Sequence, residues 1–180
     1  MKVGIIGLGF VGGSMFKSFK LKEVDCVGYD SYKKIGTFKE VVDTDILFLC
    51  LPTLFDEERC MYNKDEIVKT LDKIVGFKGL IVIKSTVEPE STGILSKKYP
   101  KLKICHNPEF LTARTAFEDF HNQTHIVLGK GPNCDSIQEL YDFYHKYYPE
   151  AEINTCSSLE SESMKIFCNS FYASKIMLFN

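Results

Sequence analysis

Apolar residues along the chain fall into short continuous runs that alternate with segments of helical spacing. Unbroken runs of Ile, Val, Leu and Phe predict strands covered on both faces, because a strand with one wet face alternates apolar and polar residues. Strands that alternate with helices predict an α/β fold with a doubly wound parallel sheet. The predicted strands are residues 2–6, 25–29, 45–51, 79–84, 103–106, 125–129 and 152–155, and the predicted helices are 11–19, 38–42, 64–75, 92–99 and 135–147.

From residue 158 onward the pattern becomes one long helix. Its apolar side chains recur at three- and four-residue steps and so share one face: Met164, Phe167, Phe171 and Leu178. The pattern stops without a glycine or proline signal. We therefore divide the chain into a domain of residues 1–157 and a truncated helix, residues 158–180. We expect further chain, or a second copy in a homodimer, to cover the apolar stripe.

Composition narrows the function classes. Apolar residues make up 44% of the chain, with 14 Phe and 9 Tyr, which is enough for a substantial core. A net charge of −2 gives no electrostatic support for a nucleic-acid binder. No segment has the length of a membrane span, and no His, Cys, Asp and Glu cluster has metal-ligand spacing. Seven Cys without a C-x-x-C pair predict reduced, buried thiols in a cytoplasmic protein.

A glycine motif, Gly7-Leu8-Gly9-Phe10-Val11-Gly12, directly follows the first strand and opens the first helix. Gly7 permits the tight turn, Gly9 lets the backbone approach a pyrophosphate, and Gly12 lets helix and strand pack closely. The helix N-terminus, at Phe10 and Val11, offers free amides and a positive dipole end to the phosphates. We interpret the motif as the dinucleotide site of a Rossmann-like domain; the alternative is a glycine-rich turn without a ligand.

Two further positions belong to this predicted site. Asp30 closes the second strand, where a carboxylate accepts hydrogen bonds from a ribose diol and repels a 2′-phosphate, so it favours NAD over NADP. Lys33 and Lys34 follow closely and weaken that preference slightly, since a cation can pair with a phosphate. Pro52 and Thr53 end the third strand, across the switch point from the first. The alternatives are an ordinary aspartate in a turn and a strand-terminating turn.

Three motifs carry a resemblance to a known family. They are Lys84-Ser85-Thr86-Val87-Glu88-Pro89, Asn107-Pro108-Glu109-Phe110-Leu111 and the helix from Glu162 to Phe171. In order and spacing the chain resembles the UDP-glucose/GDP-mannose dehydrogenase family over nearly its whole length. The resemblance implies a four-electron oxidation of a nucleotide-sugar C6 alcohol to the acid with two NAD, UDP-glucose to UDP-glucuronate before GDP-mannose. It also implies a cysteine that captures the aldehyde, and a role in polysaccharide biosynthesis.

The resemblance also assigns catalytic residues. Thr86 matches a polar residue that helps hold a catalytic water and lies beside the cofactor, Glu109 matches an active-site glutamate, and Lys165 and Asn169 match the catalytic Lys and Asn. Lys165 and Asn169 are four residues apart and share one helical face, so together they can stabilise charge that develops on a sugar oxygen. Without the resemblance, a solvated helix face and a loop carboxylate are the simpler explanations.

The chain departs from the family pattern in several places. The family's nucleophilic cysteine lies well downstream of the Lys/Asn helix, and we reject Cys168 as its substitute because burial would raise the pKa of that thiol. Ala113 stands where the family has a second glutamate, Leu54 where it has a proline, and Glu90 where it has a glycine. We therefore expect the chain to bind NAD and not to turn over a nucleotide sugar alone.

Two other functions remain open. A β-hydroxyacid dehydrogenase shares the fold and the Ser-Thr strand end, but it does not explain residues 107–111. A non-catalytic NAD-binding or assembly module fits the missing nucleophile. In either case we predict no metal, no nucleic acid and no membrane as partners.

Overall fold

A computed structural model describes all residues of the chain, 1–180. Seven strands form one sheet in the order β2-β1-β3-β6-β7-β8-β9, and β4 and β5 form a separate small hairpin. The strands are β1 Val3–Ile6, β2 Cys26–Tyr29, β3 Ile46–Leu49, β4 Phe55–Asp56, β5 Met61–Tyr62, β6 Leu80–Ile83, β7 Lys103–His106, β8 His125–Lys130 and β9 Glu152–Ser157. The helices are α1 Phe10–Leu21, α2 Phe38–Val41, α3 Asp65–Lys73, α4 Ser91–Lys98, α5 Ala116–His121, α6 Gln138–Tyr147 and α7 Ser158–Phe179.

Each face of the sheet carries its own apolar core. On one face, α1, α5 and α6 contribute aromatic side chains such as Phe19, Phe120 and Phe143. On the other face, α2, α3 and α4 contribute mainly aliphatic side chains such as Leu71 and Leu95. All four residues of β1, β3 and β6 are buried, as the unbroken apolar runs predict. The doubly wound α/β architecture is therefore confirmed.

The sheet is not parallel throughout. β1, β2, β3, β6 and β7 run parallel to one another. β8 runs antiparallel to β7, and β9 pairs with β8 in parallel. The sheet is thus mostly parallel, and the β7–β8 pair is the exception to the predicted parallel arrangement. A parallel neighbour needs a crossover that returns the chain to the opposite edge. In residues 107–124 the single helix α5 packs against α1, and the chain then re-enters the sheet in the reverse direction.

Helix α7 confirms the long helix that the sequence pattern predicts. It begins with a capping box in which Ser157 and Glu160 bond each other's backbone amides. Its first two turns bury Ser158, Ser161, Glu162 and Lys165 against the sheet and α4, whereas residues 169–180 are exposed. The proposed boundary between residues 157 and 158 coincides with this cap, and the division into two units stays a prediction. No helix has both the length and the apolar character that a bilayer crossing requires.

Candidate functional site

A cleft of about 440 Å³ lies at the carboxyl edge of β1, β3 and β6. Ligands of doubly wound sheets bind at this edge, where the strand order reverses. The sequence-predicted residues that line the cleft are Gly7, Gly9, Phe10, Val11, Asp30, Pro52, Thr53, Thr86 and Glu109. The hydroxyl of Thr53 donates to the Thr86 carbonyl over 2.6 Å, which joins the ends of β3 and β6. The fold therefore brings these predicted positions to one place.

The three motif glycines meet different surroundings. Gly7 has φ +87°, and a Cβ on Gly12 would lie 1.9 Å from the Gly7 carbonyl oxygen, so both glycines are required by the turn itself. A Cβ on Gly9 would meet no atom within 4 Å, because this position faces the open cleft. Helix α1 begins just after it, and the first amides of a helix have no partner within it. This bare backbone at a helix N-terminus fits a dinucleotide pyrophosphate.

Asp30 is tied to the glycine turn. Its carboxylate accepts hydrogen bonds from the amides of Leu8, at 2.8 Å, and Lys33, at 2.9 Å. Burial acts to raise the pKa of Asp30, but these amide hydrogen bonds and that of Tyr32 outweigh it and lower the pKa. The Lys33 ammonium donates to the Leu8 carbonyl. Lys33 is otherwise exposed, and the expectation that Lys33 and Lys34 slightly weaken a preference for NAD stays a prediction.

Glu109 joins the cleft to a second cavity of about 700 Å³, which Lys165 and Asn169 also line. Its Oε1 lies 3.0 Å from Lys165 Nζ, and the two side chains are only 15% and 6% exposed. The other carboxylate oxygen accepts from the Leu111 amide over 2.7 Å. Asn169 is exposed and lies one turn beyond Lys165. The structure thus brings Glu109 and Lys165 into direct contact, with Thr86 on one side of the pair and Asn169 on the other.

Two residues of α7 fix the orientation of Lys165. The carboxylate of Glu162, which is fully buried, accepts from the backbone amide and the hydroxyl of Thr92 at the start of α4. Burial raises the pKa of Glu162, and the Thr92 hydrogen bonds oppose that rise. Ser161 lies 2.8 Å from Nδ1 of the buried His106. Both contacts hold one face of α7 against the domain, the face from which Lys165 reaches Glu109.

Lys84 is a cleft residue to which the sequence reasoning assigned no role. Its side chain is 2% exposed, and its Nζ lies 3.0 Å from Asn107 Oδ1 and 3.5 Å from the Pro108 carbonyl. Tyr144 donates to the same Asn107 oxygen over 2.6 Å. Burial lowers the pKa of Lys84 to about 8. The sequence did offer a signal for Lys84, because a charged residue there directly follows an apolar strand and precedes Ser85 and Thr86.

Cys168 is half-buried and lines the second cavity beside Lys165 and Asn169. The expectation that burial makes this thiol inert therefore does not hold. In the family pattern the nucleophilic cysteine belongs to a segment downstream of the Lys/Asn helix, and Cys168 lies within that helix.

The comparisons with known proteins agree with the predicted resemblance. A sequence model described as "UDP-glucose/GDP-mannose dehydrogenase family, NAD binding domain" matches residues 36–147. UDP-glucose 6-dehydrogenase 1 of Glycine max is 32% identical over 116 residues, which cover 63% of this chain and 24% of the relative. UDP-glucose 6-dehydrogenase of Campylobacter jejuni is 25% identical over 215 residues, which cover 100% of this chain and 54% of the relative.

A solved structure agrees as well. GDP-mannose dehydrogenase from Pseudomonas aeruginosa, crystallised as a ternary complex, superposes with a TM-score of 0.81 at 20% identity and covers 99% of this chain and 51% of that one. The chain thus spans between about a quarter and about half of the length of the curated relatives described above. Its cofactor is NAD, as predicted. The match of the family sequence to most of the chain and the shared fold lead to one conclusion: the chain belongs to the UDP-glucose/GDP-mannose dehydrogenase family and contains its NAD-binding domain.

Proposed function

We propose that this chain is the NAD-binding part of an enzyme that oxidises the C6 alcohol of a nucleotide sugar to the carboxylate, with UDP-glucose as substrate and UDP-glucuronate as product. The observation that carries the proposal is the buried pair of Glu109 and Lys165, 3.0 Å apart, at the junction of the dinucleotide cleft and the second cavity. A hydride acceptor in the first space and an alcohol in the second would meet at this pair.

In this proposal the cleft holds NAD through the amides at the start of α1, beside Gly9, and through the Asp30 carboxylate, which accepts from the ribose hydroxyls. When bound, NAD accepts the hydride from the substrate carbon. The Asp30 carboxylate, with its lowered pKa, stays ionised at neutral pH and therefore remains a hydrogen-bond acceptor.

The second cavity would bind the sugar. Lys165 supplies a cation and Asn169 an amide donor on the same helical face, and both can stabilise negative charge that develops on the sugar oxygen. Glu109 keeps one carboxylate oxygen on Lys165 and the other on the Leu111 amide, so it is oriented to accept a proton directly or through a water. Thr86, whose carbonyl is held by Thr53, is the residue we propose to position that water.

The substrate is tested with the protein expressed from its complete gene. NADH formation is measured in parallel with UDP-glucose, GDP-mannose and a small β-hydroxy acid. We expect turnover with UDP-glucose and little with the other two. Activity with the hydroxy acid alone would make the protein a β-hydroxyacid dehydrogenase, and NAD binding without turnover of any of the three would identify a non-catalytic module.

We also propose that the exposed half of α7 pairs with a second copy of the chain. Phe167, Phe171 and Leu178 are 76%, 64% and 81% exposed, and a stripe of this kind is complementary to its own copy across a two-fold axis. Light scattering at micromolar concentration is expected to give about twice the chain mass of 20.5 kDa. A monomer under these conditions would contradict the proposal.

The seven free cysteines support the proposal of a reducing, cytoplasmic location.

A further inference from the structure

Lys84 is a buried cation on the wall of the NAD cleft. It directly follows β6, and its side chain is 2% exposed. The two oxygens that its ammonium contacts, Asn107 Oδ1 and the Pro108 carbonyl, are both neutral. The face of the Phe120 ring lies beneath it, with the ring centroid 5.8 Å from Nζ. A buried lysine normally has a carboxylate partner. Lys84 has none, so we ask whether its charge acts on a ligand in the cleft.

The other charges of the cleft do not neutralise Lys84. Glu109 is already paired with Lys165, so these two side chains largely cancel each other. Asp30 follows β2, which is three strand spacings from β6, or about 14 Å across the sheet. One net positive charge therefore remains at the β6 end of the cleft.

The remaining groups that face Lys84 stay uncharged near neutral pH. The titratable and charged neighbours from the elements around it are Cys50, Cys105, His106, Glu109, Tyr144 and Lys165. Burial raises the pKa of Cys50 to about 12 and those of Cys105 and Tyr144 well above their ordinary values, and it lowers the pKa of His106 to about 3. Outside the Glu109–Lys165 pair, Lys84 is therefore the group whose charge changes in mildly alkaline solution.

A dinucleotide held in this cleft would have its reactive end near Lys84. With the adenosine ribose at Asp30 and the pyrophosphate at the start of α1, the nicotinamide half would extend toward the ends of β3 and β6. The nicotinamide ring is cationic in NAD and neutral in NADH, whereas the rest of the molecule is the same in both.

We propose that Lys84 is a specificity-determining residue that makes the cleft bind NADH in preference to NAD. A fixed cation repels the oxidised ring and leaves the neutral reduced ring unaffected. One charge acting over about 10 Å at an effective dielectric constant of about 20 changes an affinity by roughly tenfold. The preference depends on the protonation of Lys84, because the neutral amine exerts no such repulsion.

The test is a set of calorimetric titrations with NAD, NADH and ADP-ribose, which has no nicotinamide ring. At about pH 6.5 Lys84 is protonated and at about pH 9.5 it is neutral, since its pKa is about 8. We expect the ratio of Kd for NAD to Kd for NADH to fall roughly tenfold between these two pH values. ADP-ribose shares the adenosine and pyrophosphate contacts of both dinucleotides, so its affinity reports the effect of pH on those contacts, which cancels in the ratio.

Two variants separate the charge from the packing. In Lys84→Met the ratio should be independent of pH and equal to the high-pH value of the wild type, and in Lys84→Arg it should stay at the low-pH value. A pH-independent ratio in the wild type, or a methionine variant that keeps the wild-type response, would overturn the inference. If the variants do not fold, the wild-type titrations decide alone. A wild type that binds NAD and ADP-ribose but shows no response overturns only the role of Lys84, whereas failure of all three ligands overturns the cofactor site itself.

Discussion

Gly9→Ala is expected to weaken NAD binding by at least about tenfold, whereas the free energy of unfolding should fall by no more than about 1 kcal/mol, the scale of an unfavourable residue at a helix N-cap. A Cβ at this position meets no protein atom within 4 Å, so the substitution is sterically free in the protein alone. The same Cβ projects into the cleft at the start of α1, where the pyrophosphate must approach the backbone closely. Isothermal calorimetry for NAD affinity and urea unfolding for stability measure the two effects separately.

A matched control exists in α4. Gly93 also has no neighbour within 4 Å of an added Cβ, but it lies in a helix outside the cleft. Gly93→Ala should leave NAD affinity unchanged and stabilise the protein by roughly 0.5–1 kcal/mol. Gly12→Ala should instead destabilise it, because its Cβ would lie 1.9 Å from the Gly7 carbonyl. Normal NAD affinity in Gly9→Ala would show that the amides of α1 do not hold the pyrophosphate.

Lys165→Met is expected to lower the free energy of unfolding by about 3–5 kcal/mol. The substitution leaves the Glu109 carboxylate, which is only 15% exposed, without its cation. Adding Glu109→Gln should recover a large part of the loss, since the neutral amide has a smaller desolvation cost. The measurement is urea unfolding of the wild type, both single variants and the double variant, which gives the coupling energy of the pair.

Lys69→Met serves as the comparison for this pair. Lys69 makes an ion pair with Glu66 over 2.8 Å, but the two side chains are 64% and 42% exposed. Solvent screens a pair of this kind, so little change in stability is expected. A similarly small change for Lys165→Met would mean that the buried contact with Glu109 contributes little to the fold.

The parts of the fold that depend on local pattern could be predicted from the sequence. Fully buried strands such as Leu80–Ile83 are identifiable as apolar runs, and the turn from β1 into α1 follows from the conformational demands of its glycines. The direction of β8 could not be predicted, because it depends on whether residues 107–124 cross the sheet or stay at one edge. The β4–β5 hairpin, with strands of two residues each, is too short to give a periodic signal.

The candidate site also contains residues that could be predicted from the sequence and contacts that could not. The positions of Gly9 and Asp30 at the cleft were predictable because each stands at a fixed place relative to a strand end, whereas Thr86 was assigned through the resemblance. The contact of Glu109 with Lys165 joins residues that are 56 positions apart, and spacing alone could not predict it. The resemblance placed both residues in one site but gave no distance. Lys84 gave a sequence signal, as a charged residue directly after an apolar strand, but the lack of a carboxylate partner for its ammonium could not be predicted from the sequence.

The first two turns of α7 attach the helix firmly to the rest of the domain. Ser161, Glu162 and Lys165 attach the helix to β7, to α4 and to the loop that carries Glu109. A rotation of the helix by one residue, about 100°, would break all three attachments together. The helix beyond Lys165 extends for about 21 Å, at 1.5 Å per residue, as a stiff lever. A change in the angle of this helix would therefore disturb the contact between Lys165 and the Glu109 carboxylate that separates the two cavities.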